Sequence, residues 1–135
     1  MFKLRGKRPG NLGVTNGRLA ACPTKPNSVS SHADPADRYH YIAPLKFSRD
    51  AKSAMQRLLK VVQAQPRTEI VQQTDTYLYA EFSTALMGYV DDVEFLLVPE
   101  PKTIHVRSAS RLGRSDLGVN RKRVEALRAE FEKNS

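Results

Sequence analysis

The chain has 135 residues and 40% hydrophobic content, enough for one domain with a single core and too much for a wholly disordered chain. Its net charge of +8 excludes acidic-tail proteins and leaves nucleic acid, anionic lipid and acidic proteins as partner classes. The one cysteine, Cys22, excludes an internal disulfide and a zinc site built from several cysteines.

The first 30 residues differ in composition from the rest. They contain six cations, no carboxylate and seven glycine or proline residues, which disfavours helices and central strands. We predict an irregular basic N-terminal arm over 1–30, followed by one domain over 31–135. The arm could steer the protein toward a polyanion or a membrane surface, or be a solvated tail that aids solubility. No apolar run has the length of a membrane span or secretory signal, so we expect a soluble cytoplasmic protein, with peripheral membrane association through the arm left open.

Residues 48–63 carry the clearest helical pattern in the chain. Apolar residues recur there at intervals of three and four, forming one stripe. They are Ala51, Ala54, Met55, Leu58, Leu59 and Val62. Ser48 can cap the start of this helix, Asp50 suits the positive end of its dipole, and Pro66 prevents its continuation.

From residue 67 onward the hydrophobic period changes to two, which predicts four strands with short links and therefore antiparallel pairing. The predicted strands are 69–74, 76–83, 90–98 and 103–109. The four-residue loop 99–102 predicts that Val98 lies opposite Thr103, and counting back from there places Glu94 opposite Arg107.

A second helix is predicted to begin near Ser115 or Asp116, either of which can cap it. Val124, Leu127 and Phe131 supply its apolar stripe. The order arm, helix, four strands and helix predicts an α+β two-layer sandwich, in which two helices cover the apolar face of a four-stranded antiparallel sheet.

The densest basic segment is 107–123, with six cations against one carboxylate. It spans the end of a strand, a turn and the start of a helix, where free backbone N–H groups are available. Together with Arg111, Arg114 and Ser115, this segment could hold a phosphate, sulfate or carboxylate. The alternative is structural: Asp116 caps the helix and the arginines pair with the acidic residues of the preceding strand.

The acidic counterpart is Asp91-Asp92-Val93-Glu94, in which strand alternation sends Asp92 and Glu94 to one face and Asp91 to the other. Two convergent carboxylates could begin a general acid–base pair or a divalent-cation site. However, we expect the adjacent Arg107 to lower their pKa values, which is the wrong direction for a general acid. A salt-bridged sheet surface is the favoured interpretation.

Other motifs that would carry chemistry are missing from the sequence. The three histidines, His32, His40 and His105, show no metal-ligand spacing, and no phosphate-binding or dinucleotide-binding glycine motif follows a strand. We therefore predict no cofactor and no metal site, and we assign no catalytic residue.

Several strings together resemble the DUF1499 family, whose function is uncharacterised and whose members occur in bacteria, including cyanobacteria, and in algae and plants. The strings are GRLAACP (17–23), PNSVSS (26–31), YIAPL (41–45), AEF (80–82), VDDVEF (90–95), RSASR (107–111) and DLGVNRKRVE (116–125). The resemblance covers roughly residues 11–131 and implies a cyanobacterial or plastid-type protein.

The resemblance also implies which polar positions belong to the family's motifs. From these positions we predict a ligand-binding set of Asn27, Ser30, Asp92, Glu94, Arg107, Ser110, Arg111, Ser115, Asn120 and Arg121. The family commonly has a second cysteine where this chain has Ser28, so a pairing of that position with Cys22 is not available here. We expect Cys22 to be a buried or half-buried structural thiol.

Two classes of function follow. The first is a non-enzymatic binding module for an anionic small molecule, a membrane surface or an acidic protein partner. The alternative is an enzyme, of hydrolase or isomerase type, that acts on a small anionic substrate with Asp92 or Glu94 as base and with Arg107 and Arg111 as clamps. Nucleic-acid binding is supported only by the net charge, so it is disfavoured. The sequence leaves the oligomeric state open.

Overall fold

A computed structural model describes residues 5–85 and 88–133. Over these residues the chain forms two helices and one six-stranded sheet whose strands differ in length. The elements, in chain order, are β1 (Ser28–Ser30), β2 (Leu45–Lys46), α1 (Ala51–Gln63), β3 (Thr68–Gln73), β4 (Tyr77–Ser83), β5 (Val90–Val98), β6 (Thr103–Ser110) and α2 (Val119–Lys133).

The sheet has the strand order β1-β6-β5-β4-β3, with β2 also pairing with β6, and all these pairs are antiparallel. The α+β class is therefore confirmed. The four predicted strands correspond to β3 to β6, whereas β1 and β2 were not predicted, so four was the wrong number. These two strands are only three and two residues long, too short for a period of two to be recognised.

The predicted register between β5 and β6 is confirmed. Val98 pairs with Thr103 and Glu94 pairs with Arg107, as the short loop between the two strands requires. Because side chains alternate, this register fixes which polar residues of β5 and β6 share a face. The predicted separation of Asp91 from Asp92 and Glu94 follows from it.

One edge of the sheet is formed by β3, whose pairing with β4 shifts register between Ile70 and Gln72. Such a β-bulge places an extra residue in one strand and increases the local twist. Most of β3 is exposed, as expected for an edge strand.

Both helices pack on one face of the sheet and bury the main hydrophobic core there. Its largest fully buried side chains include Phe95, Ile104, Leu58, Leu127 and Phe131. The opposite face carries polar side chains and is covered by the N-terminal arm. This second face positions the candidate functional site.

The helix starts differ in detail from the prediction. Helix α1 begins at Ala51, and its N-cap is Asp50, whose carboxylate accepts a hydrogen bond from the Ser53 backbone N–H at 3.1 Å, so the predicted cap at Ser48 is wrong. Helix α2 begins at Val119, later than predicted. Asp116 nevertheless accepts the N–H groups of Gly118 and Asn120 and so caps the turn that leads into α2.

Within the described ranges, neither helix has the length and hydropathy that crossing a bilayer requires.

The observed cap gives a stability prediction. Replacing Asp50 with alanine should lower the free energy of unfolding by about 1 kcal/mol, because the first-turn N–H groups of α1 lose their acceptor. Ser48→Ala is the matched control and should change it by less than about 0.5 kcal/mol. Urea unfolding followed by circular dichroism measures both, and equal losses in the two variants would contradict the assignment.

Candidate functional site

The described part of the N-terminal arm, from residue 5 onward, lies across the polar face of the sheet. Leu12 and Leu19 pack against Tyr77, Tyr79 and Leu96, which form a second, smaller apolar cluster. Two polar contacts add to this packing. The arm's Gly13 N–H donates to a Glu94 oxygen at 2.7 Å, and its Ala21 carbonyl accepts from Arg107 at 3.3 Å. The arm is thus part of the folded structure, and the interpretation of it as a solvated tail is wrong.

Three carboxylates lie beneath the arm on this face: Glu81 on β4, and Asp92 and Glu94 on β5. None is more than 2% exposed. The prediction brought together only Asp92 and Glu94, and Glu81 was missed. The pattern Tyr77-x-Tyr79-x-Glu81 carried the signal, because alternation places all three side chains on one face.

Arg111, just after β6, neutralises two of these carboxylates. Its Nε and Nη2 bind the two oxygens of Asp92 at 2.9 and 2.8 Å, and Nη2 also binds Glu81 at 2.5 Å. The Tyr79 hydroxyl donates to the same Asp92 at 2.5 Å. Hydrogen bonds to Asp92 raise the pKa of Arg111 further above its usual range. Asp92 therefore has both oxygens engaged.

Glu81 receives two more cations, which come from the arm. Arg5 and Arg8 contact it at 3.0 and 2.7 Å. Burial raises the pKa of Glu81, but the hydrogen bonds from Arg8 and Arg111 outweigh that effect, and the net direction is downward. Two of the arm's cations thus balance a buried carboxylate of the sheet.

Glu94 is the least well compensated of the three carboxylates. It accepts from the Tyr77 hydroxyl at 2.5 Å and from Gly13, while the nearest nitrogen of Arg107 is 3.8 Å away. Burial raises the pKa of Glu94 more than Tyr77, Gly13 and Arg107 together lower it. Arg107 lowers the pKa of this carboxylate, as expected, but desolvation dominates and the net direction is upward.

A cleft of about 520 Å³ opens where the arm crosses β6. Lys7, Ala21 and Cys22 of the arm line one side. The sheet side and its adjoining turn contribute Asn27, Asp92, Arg107, Ser110 and Arg111. The cleft therefore combines guanidinium, ammonium, carboxylate, amide and thiol groups.

Two residues that line the cleft each carry a buried polar atom without a hydrogen-bond partner. Among the described residues there are five such side-chain atoms. Asn27 Oδ1 and Arg107 Nε belong to the cleft lining, whereas Glu94 Oε1 lies deeper under the arm and Ser28 Oγ lies beside the Cys22 thiol. Asn27 and Arg107, which line the cleft, are 6% and 3% exposed. An unpartnered buried donor or acceptor costs about 1–3 kcal/mol. Two such atoms in the lining of one cleft support a binding site there.

The predicted site residues fall into two groups. Five of them line the cleft: Asn27, Asp92, Arg107, Ser110 and Arg111. The other five do not. These are Ser30, Glu94, Ser115, Asn120 and Arg121.

Of the second group, Asn120 holds two residues of the cleft lining in place by hydrogen bonds. Fully buried at the start of α2, it donates to the Asn27 carbonyl at 3.1 Å and to the Ser110 hydroxyl at 2.9 Å. Glu94 lies deeper under the arm. Ser30 shares a face with Arg107, its register partner, and accepts from the His32 N–H.

The remaining two residues of that group lie elsewhere. Ser115 is exposed and accepts only the Leu117 N–H within its own turn. Arg121 donates to the Tyr41 carbonyl at 2.8 Å. Both came from the 107–123 segment, whose cations the fold distributes over different surfaces.

The position of Ser28 bears on the family pattern. The Ser28 hydroxyl of β1 lies beside the half-buried Cys22 thiol. Burial raises the pKa of that thiol above its ordinary value, and the contact with Ser28 lowers it by a smaller amount. Within the described residues, no three histidine, cysteine, aspartate or glutamate side chains are grouped so that they could hold a metal ion.

Histidines fasten the arm beside the cleft. His32 Nδ1 accepts a hydrogen bond from the Leu19 N–H at 3.1 Å. The His32 ring stacks on the His105 ring, with the two ring centroids 3.9 Å apart. Burial, together with the charges of His105 and Arg18, lowers the pKa of His32 to about 4. The hydrogen bond requires Nδ1 without a proton, so neutral His32 belongs to the docked arm.

Arg111→Ala should lower the free energy of unfolding by about 3–5 kcal/mol, because it leaves the buried Asp92 and Glu81 without their shared cation. Arg114→Ala, an exposed arginine of the same segment, is the control and should change it by less than about 0.5 kcal/mol. Chemical denaturation measures both values. A loss below about 1 kcal/mol for Arg111→Ala would show that the ion cluster is not needed for stability.

Acidification should loosen the arm. The pKa of His32 in the docked state, about 4, lies below its ordinary 6.5, so the contribution of neutral His32 is complete above pH 6.5 and decreases as the pH falls toward 4. The backbone heteronuclear NOE of Leu19, measured by NMR from pH 7.5 to 4.5, should fall. His32→Asn keeps an acceptor that does not titrate and should flatten the profile; identical profiles would refute this role.

The family comparison matches the part of the chain that forms the sheet and most of the two helices. The family model DUF1499, described as a protein of unknown function, matches residues 18–131. A search of curated proteins finds no significant match. The matched range contains every strand and nearly all of α2, together with Asn27, Asp92, Arg107 and Arg111 of the cleft. The chain therefore belongs to the DUF1499 family, as its sequence motifs predicted.

Proposed function

We propose that this protein is a binding module that holds a small anionic molecule in the cleft beneath the N-terminal arm. The observation that carries the proposal is the state of Arg107. This residue is 3% exposed, lines the cleft and has an Nε–H without an acceptor. A buried guanidinium is stable when carboxylate or phosphate oxygens satisfy its donors.

The charge balance around the cleft supports an anion. Arg111 is fully engaged with Asp92 and Glu81, and Arg5 and Arg8 complete the coordination of Glu81. Arg107 has Glu94 at 3.8 Å, a distance beyond direct hydrogen bonding, and donates to the neutral carbonyl of Ala21. Exposed Lys7 adds a further positive charge to the lining. The uncompensated charge of the cleft is thus positive.

Neutral groups beside Arg107 indicate what else the ligand would carry. Asn27 donates its amide to the Gly113 carbonyl at 2.9 Å, which leaves Oδ1 as an acceptor without a partner. A ligand with both an anionic group and a hydroxyl or N–H donor would satisfy Arg107 and Asn27 together. Hydroxy acids and organic phosphates have this combination.

The enzymatic alternative receives less support from the geometry. A general base needs a carboxylate with a free oxygen in reach of the substrate. Asp92 lines the cleft but is held by Arg111 and Tyr79, and Glu94 is buried away from the lining. Arg111 is likewise engaged and acts as a structural cation rather than a clamp.

A membrane surface or an acidic protein partner also receives less support. Both would bind through unpaired cations of the arm, and two of the arm's cations, Arg5 and Arg8, are partly exposed but already paired with Glu81. Lys7 and Lys25 are exposed and remain available to such partners. The cleft provides the more specific geometry.

Arg107→Gln tests the proposal, since glutamine keeps polarity but removes the charge. Isothermal titration with acetate, glycolate, inorganic phosphate and glycerol phosphate should show binding by the wild type that weakens with added salt. For the probe that binds best, Arg107→Gln should weaken the affinity about ten-fold or more, the effect of losing one charged hydrogen bond.

Arg114→Gln, an exposed arginine outside the cleft lining, is the matched control and should keep wild-type affinity. If none of the four probes binds at low ionic strength, or if Arg107→Gln binds as tightly as the wild type, the cleft is not an anion site. Turnover of an ester or phosphoester probe that depends on Asp92 would instead favour the enzymatic alternative.

A further inference from the structure

A second basic groove lies on the opposite side of the molecule, between α1 and α2. It has a volume of about 490 Å³, and its charged lining consists of Arg49, Arg57, Lys60 and Glu130. Three cations thus line the groove with one carboxylate, and Glu130 is not without a partner. The groove shares no lining residue with the cleft beneath the arm.

The cations of this groove follow one stripe of α1. Ser53, Arg57 and Lys60 are spaced by four and three residues, so they lie on neighbouring turns of one helix face. Arg49 lies directly before the N-cap residue, Asp50, at the N-terminal end of that stripe. Polar donors are therefore interleaved with the charges along the groove.

Arg57 is the group that singles out this groove. Its guanidinium carbon lies 3.9 Å from the centre of the Phe131 ring, and Phe131 is fully buried. Stacking on a fixed aromatic ring holds the guanidinium plane in place. Arg57 Nε is buried and lacks a hydrogen-bond partner, the fifth such side-chain atom among the described residues.

The electrostatics of Arg57 agree with this geometry. Burial, and then the charge of Arg49, lower the pKa of Arg57. Two guanidinium groups that repel one another across a groove are stabilised when an anion binds between them.

We propose that the α1–α2 groove is a second anion site, specific for a phosphate group, with Arg57 as its anchor and with Arg49 and Lys60 as its flanking charges. A phosphate carries close to two negative charges near neutral pH and several acceptor oxygens, which matches three cations and their donors better than a single carboxylate does. The phosphate could belong to a soluble phosphate ester or to a lipid headgroup.

The test is an NMR titration of the full-length protein with inorganic phosphate, in which both backbone amides and the Arg57 Nε–H are observed. We expect saturable shifts of the Arg57 Nε–H and of the Ser53 and Arg57 amides. Arg57→Gln and Arg49→Gln should each weaken this binding about ten-fold or more. Arg49 is exposed, so Arg49→Gln tests the site even if Arg57→Gln fails to fold.

Arg107→Gln separates the two sites, because it removes the proposed anchor of the cleft and should leave the shifts along α1 unchanged. Shifts confined to Asn27, Arg107 and their neighbours, or α1 shifts that persist in both Arg57→Gln and Arg49→Gln, would overturn the α1–α2 site. Co-sedimentation with phosphatidic acid vesicles, compared with phosphatidylcholine vesicles, distinguishes the source: retention lost in Arg49→Gln indicates a lipid headgroup, and no retention together with phosphate binding indicates a soluble phosphate.

Discussion

The structure depends on the neutralisation of Asp92 and Glu81 by Arg111. These two carboxylates lie on a sheet face that the arm closes off from solvent, and removing a carboxylate from water is costly unless a cation replaces the lost hydration. Arg111 reaches both because β6 ends beside β5 and β5 pairs Asp92 with Glu81 of β4. One guanidinium thus links the last strand to the two before it.

The same constraint explains why the arm docks. Arg111 alone does not satisfy Glu81, and Arg5 and Arg8 supply the remaining contacts from above. Glu94 likewise obtains a donor from the arm through Gly13. Since the arm must cross the sheet at these points, its following residues pass over β6 beside Arg107. The cleft is the space between that crossing and the strand.

Much of this arrangement could be predicted from local sequence. The four-residue loop 99–102 set the pairing of Glu94 with Arg107, and alternation separated Asp91, which contacts Arg123 at 2.6 Å on the helix side. Glu81 could not be placed beside Asp92, because the link between β4 and β5 does not reveal their register. The docking of Arg5 on Glu81 joins residues 76 positions apart, and no local pattern encodes such a contact.

The sequence predicted which types of residue the site contains, but not which cations of the basic segment belong to it. The basic segment 107–123 pointed to an anion site, yet its six cations fulfil different roles in the fold. Arg107 and Arg111 face the arm, Arg123 pairs with Asp91, and Arg121 binds backbone carbonyls. Helical and strand periodicity meet within this segment, so the direction of each side chain depends on where the strand ends and where α2 begins. Those two boundaries differed from the prediction by one and by three or four residues.

The bulge in β3 has a consequence for the behaviour of the protein at high concentration. An exposed strand at the border of a sheet is a template on which another chain can add its own strand, and this is a common route to fibrils. The shift between Ile70 and Gln72 breaks the regular spacing of outward N–H and C=O groups. An incoming chain cannot match that interrupted row along its whole length, so the irregularity disfavours the addition of a strand at this border.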